Sequence, residues 1–192
     1  RNRTPYNDPM LDRDCRVISA KERPDGILRI EGRFEAPFRT GNLVAISHEK
    51  RLNSAFFIHR SRDVRLEAVD IHHVGAMGVI AQLSENITLN ALRIQPKPGT
   101  HRILSTNADA THFVHCTGQV TLEDCVFEGM NDDGGNFHGI ATTVSRFVDA
   151  TTLEVELRHN GQHGIECYQP GDRILFLDRR TLATRHTADI LE

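Results

Sequence analysis

Apolar and polar residues alternate along most of the chain, with a period of two instead of the 3.6 of a helix. Residues 27–30 and 152–157 show this spacing, and Asn, Asp, Gly and Thr lie between such runs. A period of two places successive side chains on opposite faces of a strand. The pattern therefore predicts a structure that is almost entirely β.

Three stretches in the middle of the chain repeat one pattern. They begin at Val64, Ile87 and Val120, and each has apolar residues at its first, third, sixth and eighth positions. The change of phase after the third position indicates that the chain turns a corner there. The first interval is 23 residues and the second is 33, and the surplus falls around residues 96–99, which predicts an extruded loop. Seven residues before each stretch lies a further apolar residue: Phe57, Ile80 and Phe113.

A repeat of 23 residues made of short strands and corners is typical of a solenoid, whose coils bury their apolar faces against each other. The LxxLxLxxN pattern of leucine-rich repeats is absent, so we predict an all-β, right-handed parallel β-helix. After about residue 140, alternating segments and turn sequences indicate antiparallel hairpins. The sequence thus predicts two domains, β-helix coils over residues 1–139 and a small antiparallel β-barrel-like unit over residues 140–192.

Composition removes several classes of function. Lys and Arg number 23 against 26 Asp and Glu, and a formal net charge of -3 argues against a nucleic-acid partner. No run of 18 apolar residues occurs, so no membrane span is predicted. The sequence contains no Trp, which excludes a groove lined with indole rings for stacking on sugars. A sugar site would have to rely mainly on polar groups.

Three aspartates lie in the most polar part of the chain, residues 101–139. Asp109 and Asp132 are 23 residues apart, one coil, so we expect them on adjacent rungs of the same face. Asp132 and Asp133 would point to opposite faces of a regular strand, which would bury one carboxylate at a cost of several kcal/mol. We therefore expect both at a corner, which the glycines after them permit.

Carboxylates in such a cluster repel each other, and this repulsion raises the pKa of at least one of them. A protonated carboxyl beside an ionised carboxylate is what glycoside hydrolysis requires. The same cluster is compatible with a calcium site, or with a structural corner that accepts hydrogen bonds from the backbone. The residues alone leave these three interpretations open.

Several blocks carry a family resemblance. Residues 109–113 (DATHF) are similar to a DGxHF motif, and residues 132–139 (DDGGNFHG) to a DDxxNVHG motif, of glycoside hydrolase family 110, the inverting α-1,3-galactosidases. Further similar blocks bring the resemblance to about residues 40–180: they are 62–73, 75–86 and 158–178. Members of that family are several hundred residues long, so we expect this chain to be a fragment or a short homologue.

The resemblance implies a β-helix with an inserted β-barrel, and removal of terminal α-1,3-linked galactose by an inverting mechanism without a metal or other cofactor. The family's three catalytic aspartates match Asp109, Asp132 and Asp133. We expect Asp132 and Asp133 to hold or deprotonate the attacking water, and Asp109 to be the acid. The candidates for binding the sugar are His112, Asn136 and His138, and more weakly Arg102 and Glu166.

A galactose-terminated oligosaccharide or glycan is the implied partner, and a secreted or periplasmic bacterial location is implied, although no signal peptide is visible in the chain. An oligomer is compatible with the sequence. Two alternatives remain: a β-helix polysaccharide lyase with a calcium site, and a non-catalytic glycan-binding solenoid. A lyase needs a basic residue to abstract a proton, and residues 101–139 contain no Lys and only one Arg, Arg102.

Overall fold

The structure is a computed structural model, and it describes residues 15–34, 39–43 and 51–191. Within these ranges the regular structure is β-strand, apart from one short 3-10 helix at Asn160–Gln162, and there is no α-helix. The predicted all-β fold is therefore confirmed. The strands, in chain order, are β1 (Cys15–Glu22), β2 (Leu28–Phe34), β3 (Phe56–His59), β4 (Arg62–Glu67), β5 (Asp70–Ile71), β6 (Val79–Gln82), β7 (Glu85–Asn90), β8 (Arg93–Ile94), β9 (Thr111–Val114), β10 (Thr117–Glu123), β11 (Val126–Phe127), β12 (Gly135–His138), β13 (Thr143–Phe147), β14 (Leu153–Glu156), β15 (Arg173–Leu177) and β16 (Thr184–Asp189).

The chain divides into two compact units, Arg1–Phe137 and His138–Glu192, and each is described by itself. The domain boundaries drawn from the sequence, 1–139 and 140–192, stay a prediction. None of the described residues forms a helix that is long and apolar enough to cross a membrane.

Three parallel sheets make up most of the first unit, and the chain visits them in turn. Their strand orders are β12-β9-β6-β3, β10-β7-β4 and β11-β8-β5. Consecutive strands thus belong to different sheets, and the chain returns to the same sheet one coil later. This topology is compatible with the predicted β-helix. A separate antiparallel hairpin, β1 with β2, precedes the coils in the sequence.

The apolar repeat coincides with the register of these sheets. Val64 and Val120 both pair with Ile87, from the two sides of β7. Ile71 and Phe127 pair with Ile94 in the same way. Equivalent side chains of successive coils therefore lie in columns.

The columns form the core of the first unit, and burial along them depends on the coil. In the middle coil Ile87 and Leu89 have no exposed surface. On the edge strand β10, Leu122 of the same column is 36% exposed. The middle coil is covered on both sides by stacked strands, and this explains its complete burial.

Residues with positive φ turn the chain at the predicted corner. Ala68, Ala91 and Asp124 occupy the fifth position of the three repeats, with φ of 52°, 52° and 51°. This left-handed conformation is unfavourable for residues with a side chain, and here it recurs in every coil. The change of apolar phase between the third and sixth positions is thus explained by one left-handed residue.

The ten surplus residues of the third coil lie at two places. Val79 pairs with Thr111, a step of 32, whereas Ile87 pairs with Val120, a step of 33. Nine residues therefore belong to the predicted loop after β8, since a regular coil has 23. The tenth is a bulge at Gly118, whose φ is +67°.

The bulge corrects one sequence-based equivalence. Ile80 pairs with Phe57 on one side but with His112, not Phe113, on the other, because Phe113 pairs with Ala81. Phe57 is 61% exposed, whereas Phe113 is 2% exposed. Phe113 therefore belongs to the core column, and His112 lies on the outer face of the sheet.

The second unit contains two antiparallel pairs, β13 with β14 and β15 with β16. A turn at Gln169–Asp172 precedes β15, where the Asp172 backbone N–H donates to the Gln169 carbonyl at 3.0 Å and the Gln169 N–H donates to Asp172 Oδ2 at 2.8 Å. Antiparallel pairing agrees with the alternation read from the sequence. Closure of these strands into a barrel stays a prediction.

Candidate active site

The three aspartates lie in equivalent irregular segments of two successive coils. Asp109 is in the segment between Thr106 and β9, and Asp132 and Asp133 are in the segment between Met130 and β12. The chain bends at residues 131–132, so neither neighbouring aspartate is part of a strand. The expected corner is therefore present, and neither carboxylate is forced into the apolar core.

The register brings Asp133, rather than Asp132, beside Asp109. Thr106 pairs with Met130, a step of 24 residues, and the Ala110 backbone N–H donates to the Asp133 carbonyl at 2.8 Å. The expected equivalence of Asp109 and Asp132 assumed a coil of 23 residues and is wrong by one residue. The cause is that this coil is one residue longer than the first two.

Asp109 is almost entirely buried and is held by a histidine. Its side chain is 4% exposed, and its Oδ2 lies 2.5 Å from Nδ1 of His112, whose side chain is 14% exposed. The two side chains are thus within hydrogen-bonding distance of each other. The contact orients the His112 ring on the outer face of β9.

Asp132 is held by an arginine from the beginning of the coil region. Arg51 Nη2 lies 2.7 Å from Asp132 Oδ2, across 81 residues of sequence. The two side chains are 53% and 46% exposed. No motif or spacing around Arg51 indicates this contact, and Arg51 was not among the residues predicted from the sequence.

The surroundings of Asp132 raise its pKa. Partial burial is the largest cause, and the negative charge of Asp109 is the second. Arg51 acts in the opposite direction, and Asp133 adds to the increase. The like-charge repulsion expected from the sequence contributes to this increase in pKa, although burial contributes more.

Asp133 contacts the following strand. Asn136, the second residue of β12, donates from Nδ2 to Asp133 Oδ2 at 3.3 Å. The first unit thus brings together the three aspartates and two of the predicted sugar-binding residues, His112 and Asn136.

The other predicted sugar-binding residues lie in the loop after β8 and in the second unit. Arg102 is exposed in the loop after β8, where its backbone N–H donates to the Thr100 hydroxyl at 3.4 Å. His138 and Glu166 belong to the second unit, and His138 Nδ1 lies 2.8 Å from the Gly139 carbonyl oxygen. Their roles stay predictions.

Within the described ranges, no group of three or more His, Cys, Asp or Glu side chains is arranged to hold a metal ion. Each aspartate of the cluster has a protein partner instead: His112, Arg51 or Asn136.

Known proteins match the chain over most of its length, although no model of a protein family does. It is 42% identical to α-1,3-galactosidase A of Shewanella woodyi over 168 residues, which are 88% of this chain and 28% of that protein. It is 31% identical to α-1,3-galactosidase A of Bacteroides fragilis (85% of this chain, 27% of that protein). It is 30% identical to α-1,3-galactosidase B of Bacteroides thetaiotaomicron (79% and 24%). The chain is homologous to part of the α-1,3-galactosidases.

These matches confirm the family resemblance read from the motifs. A match over 88% of the chain must include its middle, and hence the three aspartates. The chain spans about a quarter of the length of the curated α-1,3-galactosidases that it matches.

Proposed function

We propose that the protein carrying this chain removes terminal α-1,3-linked galactose from glycans by metal-independent hydrolysis with inversion, on a right-handed β-helix with an inserted barrel. One observation carries the proposal: three carboxyl groups with different surroundings lie together in a chain homologous to α-1,3-galactosidases. One carboxyl is buried, one has a raised pKa, and one is exposed. Different surroundings allow one carboxyl to keep a proton while another stays ionised.

Asp132 is our candidate for the acid. Its raised pKa favours a protonated carboxyl, and its side chain is accessible enough to reach a glycosidic oxygen. Asp109, the acid expected from the sequence, is buried and bonded to His112, so it is less accessible to a glycosidic oxygen than Asp132. The proposal therefore moves the acid function from Asp109 to Asp132.

Asp109 and Asp133 are the candidates for holding the attacking water. They lie on adjacent rungs, and stacked strands are about 4.8 Å apart. Two carboxylates at that spacing can share one water molecule. Asp132 is then available to donate the proton to the leaving oxygen. An inverting enzyme needs its acid and base about 6.5–9.5 Å apart.

Polar side chains bind the galactose in this proposal. His112 and Asn136 already contact the aspartates, so they are placed to donate hydrogen bonds to sugar hydroxyls near the cluster. His138, Arg102 and Glu166 remain further candidates. A secreted or periplasmic bacterial location, implied by the family resemblance, is part of the proposal.

A proton NMR time course with α-1,3-galactobiose tests the function. We expect β-galactose to appear first, because inversion converts the α-linkage, and we expect EDTA to have no effect. Asp132→Asn and Asp133→Asn should each reduce kcat by about 10²-fold or more, as loss of an acid or base does. Asp124→Asn is the matched control, since Asp124 is exposed at a corner of another sheet.

Near-wild-type turnover in both active-site variants would refute the catalytic assignment, provided that circular dichroism shows unchanged folds. An unsaturated sugar product that EDTA abolishes would identify a lyase instead. Binding of the disaccharide without turnover would identify a glycan-binding solenoid.

A further inference from the structure

Arg51 reaches the acidic cluster from a distant part of the chain. It precedes β3, the first strand of the coils, whereas Asp132 precedes β12, the last. The backbone N–H of the next residue, Leu52, donates to the Gly75 carbonyl at 3.3 Å, which ties this segment to the second coil. From there the guanidinium reaches Asp132 at 2.7 Å.

This ion pair differs from the others that the described residues form. Arg62–Glu85 joins neighbouring coils, and pairs such as Arg65 with Glu67 join residues close in sequence. Such exposed pairs contribute little to stability. Among the described residues, Arg51 is the only arginine whose side chain forms an ion pair with one of the three aspartates.

We propose that Arg51 is a positioning residue of the reaction, holding the Asp132 carboxyl in one orientation and offsetting the negative charge around it. The inference rests on the proposed function. It assigns a role to a residue that belongs to none of the motifs carrying the family resemblance.

The charges that face Asp132 determine the direction of the effect. The charges of Asp109 and Asp133 raise the pKa of Asp132, and the charge of Arg51 lowers it. His112 contacts Asp109. Without Arg51 the two carboxylates act alone, so the pKa of Asp132 rises further. An opposite charge at this distance lowers a carboxyl pKa by about 1–3 units, and because the pair is half-exposed we expect about 1 unit.

The pH dependence of kcat/KM, measured for wild type, Arg51→Gln and Arg51→Lys, tests the inference. In Arg51→Gln one limb of the profile should move upward by about 1 pH unit. The alkaline limb moves if Asp132 is the acid, and the acidic limb moves if it is a base. Arg51→Lys keeps the charge and should restore most of the shift.

Arg62→Gln is the matched control. It breaks the exposed ion pair with Glu85, whose N–O distance is 2.8 Å and which is not part of the aspartate cluster, so its pH profile should equal that of wild type. The inference is overturned if the Arg51→Gln profile coincides with wild type or moves downward. It is also overturned if Arg62→Gln produces the same shift.

Carbon-13 NMR titration of the Asp132 carboxyl provides a readout without turnover. Its pKa should rise by about 1 unit in Arg51→Gln and stay within a few tenths in Arg62→Gln. If the wild type is active and the pKa of Asp132 is the same in Arg51→Gln as in wild type, the role of Arg51 is overturned while the proposed function stands. A wild type that releases no galactose overturns the proposed function and, with it, this inference.

Discussion

Truncation of Leu89 tests whether the columns of stacked side chains stabilise the first unit. Leu89 lies in β7, the middle strand of its sheet, and its exposed surface is zero. It pairs with Leu66 on one side and with Leu122 on the other. Leu122 occupies the same column on the edge strand and is 36% exposed, so it provides the matched control.

The expected losses follow from the two exposures. Leu→Ala removes three carbons, and at about 0.8 kcal/mol each this gives about 2.4 kcal/mol of transfer free energy. At Leu89 a closed cavity adds to this, so we expect a loss of about 3–4 kcal/mol in the free energy of unfolding. Leu122 is about two thirds buried, so its truncation should lose about two thirds of the transfer free energy, or about 1.5 kcal/mol. No closed cavity forms at this exposed position.

Urea unfolding followed by far-ultraviolet circular dichroism measures both variants, since the chain has no Trp for fluorescence. The slope of the transition should be the same in wild type and both variants, so that midpoints can be compared. Equal losses for Leu89→Ala and Leu122→Ala would refute the stacked-column explanation, as would a loss below about 1 kcal/mol for Leu89→Ala.

Two further predictions concern the backbone and the surface. Gly78→Ala should destabilise the fold by about 2 kcal/mol or more in urea unfolding, because its Cβ would lie 2.5 Å from a carbonyl oxygen of the next coil, whereas Gly139→Ala, with open space around it, should be nearly neutral. The pKa of Asp178 is lowered to about 2, chiefly by its hydrogen bond with Arg185. Ionised Asp178 therefore stabilises the folded state above pH about 4, and this contribution is lost as the pH falls towards 2. Arg185→Ala should return this pKa towards 3.8 in a carbon-13 NMR titration, and an unchanged value would contradict the assignment.

Much of the strand pairing in the first unit could be predicted because the apolar pattern repeats in successive segments of the chain. The columns that contain Ile87 and Ile94 were found from the sequence with the correct partners. Single-residue changes of coil length were not found. The bulge at Gly118 moved His112 into the register expected of Phe113, and a coil of 24 residues moved Asp133 beside Asp109. A periodic count cannot detect an insertion that leaves the local alternation intact, because its effect appears only in the pairing with the next coil.

The sequence by itself determined the β character of the chain, the coil repeat, the extruded loop and the presence of an acidic cluster. These features depend on residue types over short distances, and periodicity reports such features directly. Only the tertiary structure decided that Asp109 is buried against His112, and that Arg51 meets Asp132 across 81 residues. Burial and long-range ion pairing depend on the summed register of several coils, so no local pattern contains them. The raised pKa of Asp132 follows from those neighbours, and it is therefore a property of the fold more than of the motif.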